Sequence, residues 1–128
     1  MEMRGKNEYN QHDMEKKYGF IEDADDVLER LGGNPALLDR LLVKFRDSYR
    51  NFRADLLPQF TSKAAGDREE AYRMVHSMKG VSSNLGITRL WRRAIALEAK
   101  MKEGVYDDTG PELVSFLAEL DAVIEDLG

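Results

Sequence analysis

The sequence predicts an all-α protein: an antiparallel up-down-up-down four-helix bundle with a short extra N-terminal helix. Apolar residues recur at helical spacing in each readable segment, and no segment alternates as a strand does. Proline and glycine mark short connections between four substantial helices. Because short connections favour antiparallel neighbours, these helices are expected to form a bundle, with the short helix packed across one end.

Capping residues delimit the first two helices. Asp23 is placed to cap the short helix, whose apolar residues are Val27, Leu28 and Leu31, and Gly32 and Gly33 would end it. Asn34 followed by Pro35 then predicts the cap and first residue of a long helix. We expect Pro58 to kink or end that helix, although the chain could continue helical to about Ser62. Its apolar residues follow heptad-like spacing: Leu38, Leu41, Leu42, Phe45, Tyr49, Phe52 and Leu56.

The third long helix follows a turn at residues 64–66. Asp67 and Glu70 resemble a capping box at its start, and Gly86 is placed as the C′ residue that ends it. Its apolar stripe consists of Ala71, Val75, Met78, Ser82 and Leu85.

A partner helix then runs back from Ile87 and Thr88 to about Gly104. Its core stripe is expected to contain Ile87, Leu90, Trp91, Ala94 and Met101. Pro111 stands at the first position of the last helix, which is amphipathic through Leu113, Phe116, Leu117, Leu120, Ile124 and Leu127.

Composition bounds the class of protein. At 128 residues the chain is one domain, which we place at residues 20–128 after a polar N-terminal tail at residues 1–19. With no cysteine, the chain has no disulfide or thiolate–zinc scaffold. A formal charge of −5 disfavours nucleic acid as a partner, and no apolar run is long enough to span a bilayer. We expect a cytoplasmic monomer.

His76 is the strongest functional signal, because Lys79 and Gly80 follow it at helical spacings of three and four residues. It lies roughly 140° from the centre of the apolar stripe, so it should face solvent. A solvent-facing histidine can accept a phosphoryl group on a ring nitrogen, with Lys79 supplying positive charge. Gly80 leaves the approach open and costs about 1 kcal/mol relative to alanine in a helix. Tyr72 and Ser83 lie on the same surface and are candidate partner-binding residues.

The segment resembles the histidine phosphotransfer (HPt) family, whose signature is His-x-x-Lys-Gly on a helix followed by a Leu-Gly turn. Here the matching residues are His76, Lys79, Gly80, Leu85 and Gly86, and the likeness extends from about Phe20 to the C-terminus. The resemblance implies a helical bundle that carries a phosphoryl group between the aspartates of receiver domains, including those of hybrid sensor kinases. It also implies no ATP site and no cofactor, with Mg²⁺ coming from the receiver. The predicted bundle topology rests partly on this resemblance.

Glu98 is a second candidate site residue. His76 and Glu98 are each eleven residues from Ile87, so in antiparallel helices they should lie at the same height. Glu98 also falls inside the core stripe, where a carboxylate needs a partner. It is a candidate to bind His76 Nδ1 and so to orient the ring, a position at which the family often has glutamate or glutamine. The alternative is that Glu98 reaches the bundle edge and pairs with Lys79 or Arg73.

Two other functions stay open. The chain could be the phosphotransfer segment of a chemotaxis-type kinase, although those segments usually carry a second histidine where this chain has Ile95. It could also be a receiver-binding adaptor that never carries phosphate. His12, the other histidine, lies in the polar tail and is interpreted as incidental rather than as a metal ligand. Candidate docking residues are two arginine groups and the apolar residues of the short helix: Arg46, Arg50 and Arg53; Arg89, Arg92 and Arg93; Val27, Leu28 and Leu31.

Overall fold

The computed structural model describes residues 18–128, and within that part the chain has six helices and no strand. The helices are α1 (Ala24–Arg30), α2 (Pro35–Tyr49), α3 (Phe52–Thr61), α4 (Ala65–Asn84), α5 (Thr88–Lys102) and α6 (Pro111–Leu127). The predicted all-α class is therefore confirmed. The predicted polar tail lies outside the described residues except for Tyr18 and Gly19, and His12 lies outside them too.

One apolar core joins the helices. Helix α4 packs against α3 and α5, α5 packs also against α6, and α2 packs against α6. The largest fully buried side chains come from α2 to α6 and the turn before α5, and each large one contributes about 1.5–3 kcal/mol through its burial. They are Leu38, Leu42, Leu56, Phe60, Met78, Ile87, Leu90, Leu97, Leu113, Phe116 and Leu120.

The caps predicted for α1 and α2 are present. An Asp23 side-chain oxygen accepts a hydrogen bond from the Asp26 backbone N–H at 3.1 Å, and the Asn34 side chain accepts one from Leu37 at the same distance. Each bond satisfies a backbone donor that the first turn of a helix leaves without an intrahelical partner.

The prediction of one unbroken helix up to Pro58 is wrong, because the chain leaves helical geometry earlier, but the expected helical continuation to about Ser62 is confirmed, since the helix that contains Pro58 ends at Thr61. Helix α2 ends at Tyr49, and Asn51 (φ −102°, ψ 16°) precedes a new helix that carries Pro58 in its interior. Asparagine competes poorly inside a helix because its side chain favours caps and turns. The apolar spacing survives the break, since Tyr49 contacts both Phe45 and Phe52 with ring centroids 5.0 and 5.9 Å apart.

The capping box predicted at Asp67 and Glu70 is also wrong. The cap lies three residues earlier, at Ala64, which makes no side-chain hydrogen bond, and helix α4 begins at Ala65. Asp67 instead accepts a hydrogen bond from the Ser62 hydroxyl at 2.7 Å, while Glu70 pairs with Arg73 at 3.0 Å. Asp67 thus ties the start of α4 to the preceding loop.

Most apolar positions of α1 and α5 are buried as their spacing predicted. Val27 and Leu28 are 2% and 9% exposed, so these two members of the proposed docking set belong to the core. In α5, Trp91 is only half-buried, and Leu97 is a core residue that the predicted stripe omitted. The buried face of α5 is therefore centred farther from Trp91 than the sequence indicated.

Candidate functional site

Helix α4 turns one face into the core and the opposite face to solvent. Its buried residues are Ala71, Val75, Met78 and Ser82, and the Ser82 hydroxyl is satisfied by donating to the Met78 carbonyl at 2.7 Å. His76 lies away from this stripe, and 60% of its side chain is exposed. The helix therefore presents the imidazole to solvent while the core fixes the helix itself.

The turn between α4 and α5 sets the height of the residues across the crevice between these helices. Gly86 ends α4 with φ 72°, a left-handed conformation that glycine adopts without steric cost. Two backbone hydrogen bonds close the turn: the Gly86 N–H donates to the Ser83 carbonyl at 3.1 Å, and the Ile87 N–H donates to the Ser82 carbonyl at 2.9 Å. Helix α5 then runs back along α4, and Glu98 stands opposite His76.

Glu98 binds two side chains of α4 at once. Its Oε2 lies 2.5 Å from His76 Nδ1, and its Oε1 accepts a hydrogen bond from Lys79 Nζ at 2.6 Å. The residue is only 3% exposed, whereas the Lys79 side chain is 27% exposed. From the sequence, pairing of Glu98 with His76 and pairing with Lys79 were alternative predictions. The structure contains both contacts, because each carboxylate oxygen binds one partner.

Charge and hydrogen bonding keep Glu98 ionised. Burial by itself would raise the pKa of Glu98, but hydrogen bonds from Lys79 and then His76, together with their positive charges, lower that pKa below its ordinary value. An ionised carboxylate only accepts hydrogen bonds, so the proton between the two groups belongs on His76 Nδ1. Whenever the ring is neutral, its lone pair is therefore on Nε2.

Of the remaining candidate residues, Tyr72 and Gly80 lie one turn to either side of His76, and Ser83 lies farther along α4. The Tyr72 ring lies one turn before His76, with centroids 6.1 Å apart and planes within 16° of parallel. At Gly80, a Cβ atom would meet nothing within 4 Å, so the space beside the imidazole is open. Ser83 is exposed farther along α4, where it lines a groove of about 170 Å³ with Thr88, Trp91 and residues of α1. Helical spacing predicted that Tyr72 and Lys79 neighbour His76, but it predicted neither the near-parallel rings of Tyr72 and His76 nor the binding of both His76 and Lys79 by Glu98.

Three of the six arginines proposed for docking bind residues of α6. Arg53 pairs with Asp121 of α6 at 2.6 Å, and Arg46 donates to the carbonyl of Leu127 at 3.3 Å. Arg89 likewise reaches Glu119 of α6, at 3.4 Å. These three arginines are turned toward α6 and away from the α4–α5 crevice.

Residues 18–128 contain neither a cluster of metal-ligating side chains nor a membrane-spanning helix. In this range, no group of three or more histidine, cysteine, aspartate or glutamate side chains is arranged to hold a metal ion. The helices of the same range include none with the length and apolar character needed to cross a bilayer.

The fold and the site define an all-helical protein with an exposed histidine held by a buried carboxylate. Compared with known protein families, the chain matches the Hpt domain over residues 19–127 and belongs to that family, as its resemblance indicated. No curated protein and no solved structure gives a significant match. Membership of this family implies histidine phosphotransfer in a phosphorelay and interaction with receiver domains. Members of the family are phosphoryl carriers and are not kinases.

Proposed function

We propose that this chain is a phosphorelay intermediate that accepts a phosphoryl group from a receiver aspartate on His76 and passes it to another receiver. The observation that carries the proposal is the contact of Nδ1 with Glu98, which leaves Nε2 as the free nitrogen beside the open space at Gly80. The donor and acceptor receivers include those of hybrid sensor kinases. We place the protein in the cytoplasm as a monomer, with its helices in an antiparallel up-down-up-down four-helix bundle and α1 across one end.

In the proposed step, the lone pair of His76 Nε2 attacks phosphorus in line with the bond to the aspartate oxygen. The N–P bond forms as the P–O bond breaks, and the aspartate leaves as a carboxylate. The ring gains positive charge while Nδ1 keeps its proton, so the anionic Glu98 at 2.5 Å stabilises the phosphorylated ring. The reverse sequence delivers the group to the next receiver and restores the neutral ring.

The other site residues have supporting roles in this proposal. Lys79 can turn one of its donors toward the phosphoryl oxygens while it remains near Glu98, because an ammonium group has three. Tyr72 and Gly80 flank His76, and Ser83 lies farther along the same helix; these three residues are the proposed contacts of the receiver. The receiver supplies Mg²⁺ along with its aspartate.

The test is transfer of labelled phosphate from a receiver domain phosphorylated on its aspartate. We expect an acid-labile, alkali-stable label on the wild-type chain, since phosphohistidine has those properties. His76→Gln should abolish the label and keep the fold, whereas His12→Gln, which removes the other histidine, should keep the label. Label that persists in His76→Gln would overturn the assignment.

The same assay tests the alternatives. A chain that takes phosphate from an ATP-binding kinase domain but never from a receiver would be a chemotaxis-type segment. A chain that binds receivers and is never labelled would be an adaptor.

A further inference from the structure

The crevice between α4 and α5 is bordered by two rows of side chains. Each helix has an edge that faces the other helix across this crevice. Because successive residues of a helix are about 100° apart, each of these edges carries one residue per turn. The contact of His76 with Glu98 fixes how the rows face each other, because positions equidistant from it along antiparallel helices are neighbours. We call this surface the crevice strip; its facing pairs are Tyr72 and Lys102, His76 and Glu98, Lys79 and Ile95, and Ser83 and Trp91.

The opposite edge of α5 supports this placement. Arg89 binds Glu119 of α6, and Arg93 and Ala96 line a groove with Pro111 and other α6 residues. That edge therefore faces α6. Ile95 lies on the other edge, one turn from Glu98 along α5.

Ile95 is the large apolar residue that the strip leaves in solvent. Its exposure is 39%, and the other exposed large apolar residues of the described chain lie elsewhere, with Val43 on α2, Val105 after α5 and Val114 on α6. The apolar residues of the short-helix docking set are committed to the core, because Val27 and Leu28 are buried and half-buried Leu31 packs against that core. Half-buried Trp91 extends the apolar part of the strip by one turn toward α1.

We propose that Ile95 is the apolar anchor of receiver docking, covered by the receiver when its aspartate meets His76. This inference rests on the proposed function and identifies the surface that the partner binds. A receiver that reaches Nε2 above Gly80 must also cover the neighbouring turn of α5, where Ile95 stands opposite Lys79. Lys79, which faces Ile95, and Lys102, which lies along α5 one turn beyond Glu98, give the strip positive charge, which complements the acidic pocket around a receiver aspartate. A buried apolar centre with a charged rim is the usual anatomy of such an interface.

The experiment compares Ile95→Asp with Val114→Asp, which places the same charge at an exposed valine on α6. Transfer is measured against concentration with the receiver that exchanges phosphate fastest with this chain in a screen. Chemical phosphorylation by phosphoramidate, a small donor that needs no docking, is measured in parallel. We expect Ile95→Asp to raise the half-saturating concentration about tenfold or more, with phosphoramidate labelling of His76 unchanged. Val114→Asp should match the wild type in both assays.

Ile95→Ala keeps the test valid if the charged variant folds poorly, because alanine favours the helix and removes only the apolar contact. It should raise the half-saturating concentration severalfold. If Ile95→Ala and a folded Ile95→Asp both saturate as the wild type does, the docking inference fails and the phosphotransfer function stands. If the wild-type chain takes no phosphate from any receiver, the proposed function fails and the inference with it.

Discussion

Glu98 is the residue on which the geometry of the site depends. It is a buried carboxylate whose two oxygens bind the two functional side chains of α4. One group therefore fixes the ring tautomer of His76 and the position of the Lys79 ammonium. Removing it would release both, because a buried hydrogen-bonded charge holds its partners more firmly than water does.

Substitution of Glu98 should change the His76 tautomer in a graded way. Glu98→Gln retains an acceptor oxygen, so Nδ1–H should persist with a weaker hydrogen bond. Glu98→Ala removes the acceptor, so the proton should distribute between both nitrogens and transfer should slow severalfold, since solvent partly replaces the carboxylate. Nitrogen NMR of the imidazole in the three proteins measures the tautomer ratio. Equal ratios in all three would show that Glu98 does not orient the ring.

At the scale of the element, α4 combines a rigid buried face with an unobstructed exposed one. Two of its residues are glycines at which an added Cβ would meet nothing within 4 Å, Gly66 in the first turn and Gly80 beside His76. Neither has a positive φ, so neither is required by the backbone. Glycine at position 80 costs helix stability, which a need for close approach by a partner would explain.

Gly80→Leu should stabilise the protein by about 0.5–1 kcal/mol because leucine has the higher helix propensity. Transfer from a receiver should fall at least tenfold, since the new side chain fills the approach to His76. Gly66→Leu is the matched control: it adds the same side chain to the same helix far from His76 and should leave the transfer rate unchanged. Urea unfolding and transfer kinetics measure the two effects. Wild-type transfer by Gly80→Leu would refute the open-approach argument.

The glycine that ends α4 lacks space for a side chain, whereas the glycine that ends α5 has that space. Gly86 and Gly104 both have positive φ, 72° and 80°. An added Cβ at Gly86 would lie 2.5 Å from Val27 Cγ2, whereas one at Gly104 would meet nothing within 4 Å. The α4–α5 turn is therefore fixed by packing against α1 as well as by its backbone.

Gly86→Ala should accordingly destabilise the fold more than Gly104→Ala. Each substitution imposes left-handed strain of about 1–2 kcal/mol, and Gly86→Ala adds about 1–3 kcal/mol for overpacking against Val27. The difference in unfolding free energy between the two variants, measured by urea denaturation, isolates the packing contribution. Equal losses would mean that α1 moves aside freely.

At the scale of the whole molecule, the buried site couples stability to pH. The pKa of Glu98 is lowered in the folded protein from its ordinary value of 4.5, mainly because the hydrogen bonds and charges of Lys79 and His76 outweigh the effect of burial. A carboxyl whose pKa falls on folding favours the folded state while it is ionised. That contribution is present above the ordinary pKa and is lost as the pH falls through the lower folded value.

The wild type should therefore lose more stability on acidification than Glu98→Gln. Urea unfolding across roughly pH 6 to 3 should give a steeper decline for the wild type, because glutamine does not titrate. Glu103→Gln, which removes a carboxylate from an exposed position after α5, serves as the control for the change in net charge and should follow the wild type. Parallel curves for the wild type and Glu98→Gln would contradict the lowered pKa.

Much of this architecture follows from local sequence. The helical spacing, the caps at Asp23 and Asn34 and the glycine at position 86 act over a few residues, and each appears in the structure where the sequence placed it. The exposed setting of His76 follows from the same periodicity. The break at Asn51 and the start of α4 at Ala65 were missed because boundaries depend on small differences between competing backbone hydrogen bonds.

The sequence by itself determined the helices, the face on which His76 lies and the height at which Glu98 meets it. Only the tertiary structure decided that one carboxylate binds both His76 and Lys79. It also decided that Leu97 is buried in the core while Trp91 is only half-buried, and that three arginines bind α6. Periodicity is a local property of the chain, fixed by 3.6 residues per turn. Which atoms meet across a crevice depends on how two packed helices are rotated about their axes, and that rotation is set by the entire core.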